Sequence, residues 1–292
     1  IPIVMIELKN SLTNQTHLNA IKQWQYDRDP KEPLFRFKRN LVYLAVGNEK
    51  VSMATRLSGG NTKFLPYNKG IENPINSNGH KTAYLWEHIL QPNNVLELIE
   101  SFVHIRVETE KVYDAKLGKI KEKKSEILIF PRFHQLNVIQ RLKETVVTED
   151  VGHNYLIQHT TGSGKSLSIG WLAHLLTSLY RTTTDTKRMF DTIIVITDRR
   201  ILDRQIRQTI KQLEQTPGVV NAVDKNSQQL KVFLEDGKSL IITTVQKFPV
   251  ISEEIAKLKS KSFGVIIDEV HSSQSGETSK HLKKSLSKSV LD

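Results

Sequence analysis

The chain has 292 residues, of which 38% are hydrophobic and 25% charged, a balance that suits folded domains and excludes a disordered chain. It holds no cysteine, which excludes disulfide frameworks, thiolate metal sites and cysteine nucleophiles. The 42 Lys and Arg against 31 Asp and Glu leave a formal net charge of +11, which favours a polyanionic partner because clustered cations release counterions from phosphate backbones.

Residues 3–8 form an apolar run of strand length, and residues 16–27 carry a mostly polar helical pattern. The chain opens inside that apolar run without the basic start of a secretory signal, as expected of a fragment. Residues 41–46 and 51–55 predict two strands joined by a hairpin turn at Gly47-Asn48. Residues 57–80, rich in Gly, Asn, Ser and Pro, predict an irregular loop. Thr82 is a candidate cap for a helix through Leu90, and Leu96, Ile99 and Val103 supply the apolar face of another. Lysines then crowd the chain at positions 111, 116, 119, 121, 123 and 124. That stretch reads as a solvated linker or hairpin, with a DNA-tracking strip as the alternative. The predicted division places a first domain at 1–107, a basic linker at 108–130 and a second domain at 131–292. In the second, β-branched runs at 155–158, 192–197, 240–243 and 263–267 alternate with helical segments, which predicts a parallel sheet with helices on both faces. No apolar run approaches the roughly 20 residues that span a bilayer, so no membrane partner is expected.

Two motifs carry chemistry in the second domain. Thr160-Thr161-Gly162-Ser163-Gly164-Lys165-Ser166 opens a helix whose Leu172, Leu175, Leu176 and Leu179 recur at helical spacing. A loop of this composition turns backbone N–H groups inward around phosphates at a helix N-terminus. Gly162 and Gly164 permit backbone shapes that a Cβ blocks, Lys165 adds charge beside the β- and γ-phosphates, and the Ser166 hydroxyl can ligate Mg²⁺. His159 stands where a strict P-loop has its first glycine. Downstream, the run 263–267 delivers Asp268 and Glu269 at its C-terminal end, where parallel α/β sheets place their ligands. Asp268 is the expected Mg²⁺ ligand and Glu269 the group that orients or deprotonates the attacking water.

The box Asp268-Glu269-Val270-His271 resembles the DExH box of superfamily 2 helicases and translocases, whose P-loop and box together bind ATP and Mg²⁺. The likeness is denser for the restriction (R) subunit of type I restriction–modification enzymes. Arg132-Phe133-His134-Gln135 resembles that family's adenine-contacting segment, with Gln135 reading the base edge. The segments 196–205, with Arg199 and Arg200, and 243–248, with Thr244 and Lys247, resemble its two DNA-tracking motifs. Such residues contact phosphates and set register without reading sequence.

In the first domain Glu7-Leu8-Lys9 is similar to the ExK half of a PD-(D/E)xK nuclease. Strand alternation sends Glu7 and Lys9 to one face, where Glu7 can ligate Mg²⁺ and Lys9 can position a water. Taken alone the tripeptide equally describes an edge-strand ion pair. The family also carries a helix bearing a Gln and a Tyr spaced QxxxY; Gln23 and Tyr26 resemble that pair, one residue closer together. Its first metal-binding Asp is expected upstream of Ile1.

The fold class implied is α/β: a partial restriction-endonuclease-like α/β domain followed by a RecA-like P-loop domain with a parallel sheet. The function implied is that of an ATP-dependent translocase and endonuclease subunit of a cytoplasmic bacterial or archaeal complex. Its expected partners are double-stranded DNA, a methyltransferase subunit and a specificity subunit. A second motor domain is expected elsewhere, so a piece of this extent should bind ATP and hydrolyse it feebly. The alternatives are a superfamily 2 helicase or remodeller whose front domain only binds DNA, and a nucleotide-gated scaffold.

Overall fold

A computed structural model describes residues 3–114, 118–197, 200–247, 258 and 260–268; at 110, 114 and 200–203 it describes the backbone alone. The chain forms two compact units, Ile1–Leu136 and Asn137–Asp292. No helix among the described residues is long and apolar enough to cross a membrane.

The first unit is built on a four-stranded mixed sheet. Strands β1 (Val4–Leu8) and β2 (Val42–Val46) are parallel, with Glu7 opposite Ala45. Parallel neighbours need a crossover, and α1 (His17–Tyr26) supplies it, capped by Thr16 and Asn19 in a reciprocal capping box. Strand β3 (Val51–Ala54) returns antiparallel to β2 through the turn expected at Gly47-Asn48, and β4 (Leu65–Pro66) pairs with β3. Gly47 is required by close approach, since a Cβ there would lie 2.8 Å from the backbone nitrogen of His17. The core gathers Ala20, Trp24, Phe35, Tyr43, Ala45 and Leu57. Trp24 meets Tyr43 edge-on at 5.3 Å and donates its indole N–H to Leu44 O at 3.1 Å.

Past the expected irregular loop, the helical region departs from its predicted faces. Thr82 caps no helix; its hydroxyl donates to Gly47 O at 2.9 Å. A π-helical turn Leu85–Ile89 follows, then α2 (Pro92–Glu97) and a second π-helical turn Leu98–Phe102. The wider turn shifts the buried stripe, so Leu98 and Phe102 are buried while Leu96 and Ile99 are exposed. The lysine-rich stretch forms an antiparallel ribbon of β5 (His104–Asp114) and β6 (Lys119–Ile129), each of 11 residues, within the first unit. Helix α3 (Phe133–Glu149) begins at the end of this unit, where Phe133 meets Tyr84 and Tyr67 edge-on.

The second unit is α/β with an all-parallel sheet in the order β10-β7-β9-β8, formed by β7 (Thr192–Thr197), β8 (Val220–Ala222), β9 (Leu240–Thr244) and β10 (Phe263–Ile267). Every residue of β7 is buried, as a central strand covered on both faces requires. Ile194 and Ile196 pack with Leu230 and Leu234 of α6 (Ser227–Glu235). Helices α4 (Lys165–Thr177) and α5 (Arg200–Gln212) pack on each other and on β7. Gly170 makes that helix pair close, since a Cβ there would lie 2.6 Å from Leu213 Cδ1. His174 of α4 donates from Nε2 to Ile210 O at 2.8 Å, and burial holds its pKa below the ordinary histidine value.

The strand expected at 155–158 does not form. Tyr155, Leu156 and Ile157 stay exposed, and the Tyr155 hydroxyl donates to Glu149 Oε2 at 2.9 Å. A run of four apolar-rich residues has strand propensity, but a strand exists only where a neighbour offers its backbone groups.

Candidate functional site

The P-loop is shaped by its two glycines. Gly162 (φ +77°) and Gly164 (φ +85°) both occupy the left-handed region that L side chains avoid. A Cβ on Gly162 would meet nothing within 4 Å, so the loop leaves open space there. Gly164 is the N-cap of α4, and its carbonyl accepts from Leu167 N and Ser168 N. Ser163 is buried; its N–H donates to Thr160 O at 3.2 Å and its hydroxyl lies 3.0 Å from His159 Nδ1. His159, at the position of the missing first glycine, thus braces the loop through Ser163. The P-loop pattern contains no signal for this contact. Thr161 is exposed on the loop and Ser166 lies half-buried in the first turn of α4.

Asp268 follows β10 directly, and its N–H donates to Ile196 O at 2.9 Å, which carries the β10–β7 ladder one step further. Lys165 Nζ stands 2.9 Å from Asp268 Oδ1. The Asp268 side chain is only 3% exposed and that of Lys165 36%, so the carboxylate is desolvated and its counter-charge comes from the P-loop. The arrangement fits a magnesium–triphosphate: a left-handed glycine loop at a helix N-terminus, a lysine beside it, and a buried carboxylate at the C-terminal edge of a parallel sheet. Glu269 and His271 lie outside the described residues.

At that same sheet edge, Thr244 ends β9, and Lys247 donates from Nζ to Val223 O at 2.9 Å. Arg200 begins α5, with its side chain not described, and Arg199 lies outside the described residues. Gln135 is 2% exposed and its Oε1 accepts from Arg132 N at 2.9 Å.

In the first unit, Glu7 and Lys9 do share a face, with Lys9 Nζ 3.3 Å from Glu7 Oε1. Gln23 joins them, accepting from Lys9 Nζ at 2.5 Å, and Arg28 reaches Glu7 Oε2 at 3.2 Å. Tyr26 is 72% exposed and its hydroxyl has no hydrogen bond among the described residues. Arg28 was not legible as a member of this cluster, because it follows α1 in a stretch with no motif. Among the described residues no three His, Asp or Glu side chains converge to hold a metal. Glu7 supplies one carboxylate, held between two cations.

A family model described as SWI2/SNF2 ATPase matches residues 134–291, more than half of the chain and the part that contains the P-loop and Asp268. The chain belongs to the SWI2/SNF2 ATPase family. The parallel sheet of the second unit is the RecA-like α/β architecture expected of such an ATPase. Among curated relatives, this SWI2/SNF2 chain is similar to the Type I restriction enzyme HindI endonuclease subunit of Haemophilus influenzae, 27% identical over 96% of the chain and 26% of the relative. It is also similar to a type I restriction enzyme endonuclease subunit of Staphylococcus aureus, 28% identical over 54% of the chain and 16% of the relative. A counterpart in Staphylococcus saprophyticus is 28% identical over 52% of the chain and 15% of the relative. The chain therefore spans about a quarter of the length of the Haemophilus relative.

Proposed function

We propose that this chain is part of a type I restriction endonuclease subunit in which ATP hydrolysis drives movement along duplex DNA and cleavage away from the recognition site. The observation that carries the reading is the 2.9 Å approach of Lys165 to Asp268, two residues widely separated in sequence and joined only by the fold. The similarity to the Haemophilus endonuclease subunit over 96% of the chain supports the remainder.

In this reading residues 131–292 are the first RecA-like motor domain, 1–107 a nuclease domain and 108–130 a basic connector. The backbone of Thr161, Gly162, Ser163 and Gly164 wraps the phosphates, and Lys165 offsets their charge. Ser166 and Asp268 hold Mg²⁺, which neutralises charge on the leaving oxygens. Gln135 recognises adenine, His271 adjoins the nucleotide, and Glu269 orients or deprotonates the attacking water. Arg199, Arg200, Thr244 and Lys247 contact the DNA backbone. Glu7 and Lys9 serve hydrolysis of the phosphodiester, with Gln23 and Tyr26 alongside. A methyltransferase subunit and a specificity subunit are the protein partners, in the cytoplasm.

Calorimetric titration with Mg·ATP tests the motor site. Lys165→Ala should weaken binding about tenfold or more, since charge-assisted hydrogen bonds contribute about 1.5–3 kcal/mol. Unchanged affinity would sink the reading. For the nuclease, Lys9→Ala in the full-length subunit should abolish DNA cleavage while leaving ATP turnover intact. Undiminished cleavage would favour the helicase or remodeller reading instead.

A further inference from the structure

A second basic feature of the first unit lies away from Glu7 and belongs to neither motif. The segment Arg36-Phe37-Lys38-Arg39 precedes β2 as a tight turn closed by Arg39 N donating to Arg36 O at 3.0 Å. Lys38 occupies its third position with φ +73°, where glycine or asparagine is usual. The strained backbone splays consecutive cations around an open cleft of about 600 Å³ lined by Pro33, Leu34, Arg36, Phe37, Lys38 and Arg39. Among the described residues no carboxylate lines it. Two cations lie over the Phe37 ring, with Arg56 Cζ 4.9 Å and Lys38 Nζ 5.9 Å from its centre. Lys38 is shared with Glu126 at 2.6 Å, and Arg36 Nε donates to Lys31 O at 3.3 Å. Among the described residues, Arg36, Arg39 and Arg56 pair with no carboxylate.

We propose that the cleft at the Arg36–Arg39 turn, with Arg56 beside it against Phe37, binds phosphates and grips the backbone of duplex DNA without reading its sequence. Three exposed guanidiniums offer forked donors matched to phosphate oxygens, and their unpaired charge is the counterion-releasing kind. The turn sits at the end of the sheet where Leu41 N bonds Ile3 O, whereas Glu7 and Lys9 occupy the opposite end of β1. The four steps of strand from Ile3 to Glu7 cover about 13 Å, and the turn lies beyond Ile3. The proposal lays one duplex along this edge of the sheet, across both places. The cleft fixes where the duplex lies, and the inference rests on the reading of the chain as acting on DNA.

The test is binding of a fluorescein-labelled nonspecific duplex to the 292-residue chain across a salt series. For Arg36→Gln with Arg39→Gln, affinity should fall about tenfold or more, and the slope of log affinity against log salt should shrink by about 2, at about 0.9 per lost phosphate contact. Lys38→Gly removes a cation already shared with Glu126 while relieving the backbone, so its melting temperature should hold as the slope shrinks by no more than about 1. A merely structural lysine would not separate those readouts. Wild-type affinity and slope in the double variant, or an equal loss in the charge-matched Lys187→Gln with Lys225→Gln, would overturn the cleft alone. Failure of the wild-type chain to bind any duplex while still binding Mg·ATP would remove both the cleft and the DNA reading. Tighter binding of a single-stranded oligonucleotide than of the duplex would also count against the cleft.

Discussion

Each unit of the molecule sets a lysine against a carboxylate at the C-terminal end of a parallel strand, and the two pairs differ in what they reveal. Glu7 and Lys9 are two positions apart on one strand, so alternation alone brings them within 3.3 Å. Any alternating strand carrying those residues would do the same, and the contact says little about function. Lys165 and Asp268 come from different elements of the second unit, yet their charged atoms stand 2.9 Å apart. Only the glycine loop at the start of α4, set beside the end of β10, brings them together. The distant pair is therefore the diagnostic one. Their surroundings differ as well: Glu7 has a second cation in Arg28, whereas the Asp268 carboxylate is almost wholly buried.

The largest expected effect comes from disturbing the local pair without touching it. Gly47→Ala pushes a Cβ against the backbone of His17 at the start of α1, the helix that carries Gln23 to Lys9. Denaturant unfolding should show a loss of about 1–3 kcal/mol, the usual range for overpacking; a loss under half that would mean α1 adjusts freely. Next, Lys165→Met strands the buried Asp268 carboxylate. Because Lys165 is over a third exposed, a loss of about 1–2 kcal/mol is expected, at the lower end for an unsatisfied buried group. Adding Asp268→Asn should restore part of it, and strict additivity of the two changes would show the pair to be uncoupled. Lys9→Met should lose less than about 1 kcal/mol, since Arg28 still faces Glu7 at 3.2 Å. If it matched Lys165→Met, the contrast between the pairs would vanish.

The smallest effect is one of pH, and it concerns the helix that presents Lys165. His174 has a folded-state pKa below its ordinary value because burial disfavours the charged ring. The unfolded chain then binds more protons, so the stability His174 contributes is present above about pH 6.5 and lost as pH falls through the depressed value. Thermal midpoints should drop between pH 7.5 and 5.5, and His174→Gln should show a shallower drop. The depressed pKa of His17, lowered by burial and then by Lys50, acts in the same sense and remains in that variant. Equal drops would exclude a role for His174.

Much of this was legible because the signals were local. Strands β7 and β10 match their predicted runs residue for residue, since unbroken β-branched stretches bounded by polar residues leave little choice. The Gly47-Asn48 turn and the capped α1 follow from short-range backbone chemistry. The failures were all cases where a partner decides. Residues 155–158 have strand composition but pair with no strand among the described residues, and the stripe of Leu96 and Ile99 lost its place when π-helical turns rotated Leu98 and Phe102 inward. Arg28 and His159 entered their clusters through contacts that no motif encodes.

By itself the sequence determined the residue types able to cradle a triphosphate, the period of strands β7 and β10, and the excess of positive charge, because these are properties of neighbouring residues. The tertiary structure alone decided that Lys165 meets Asp268, that Gln23 and Arg28 close around Glu7 and Lys9, and that three arginines near Phe37 have no carboxylate partner among the described residues. Contacts of that kind depend on which surfaces are buried against which, and burial is a property of the whole fold.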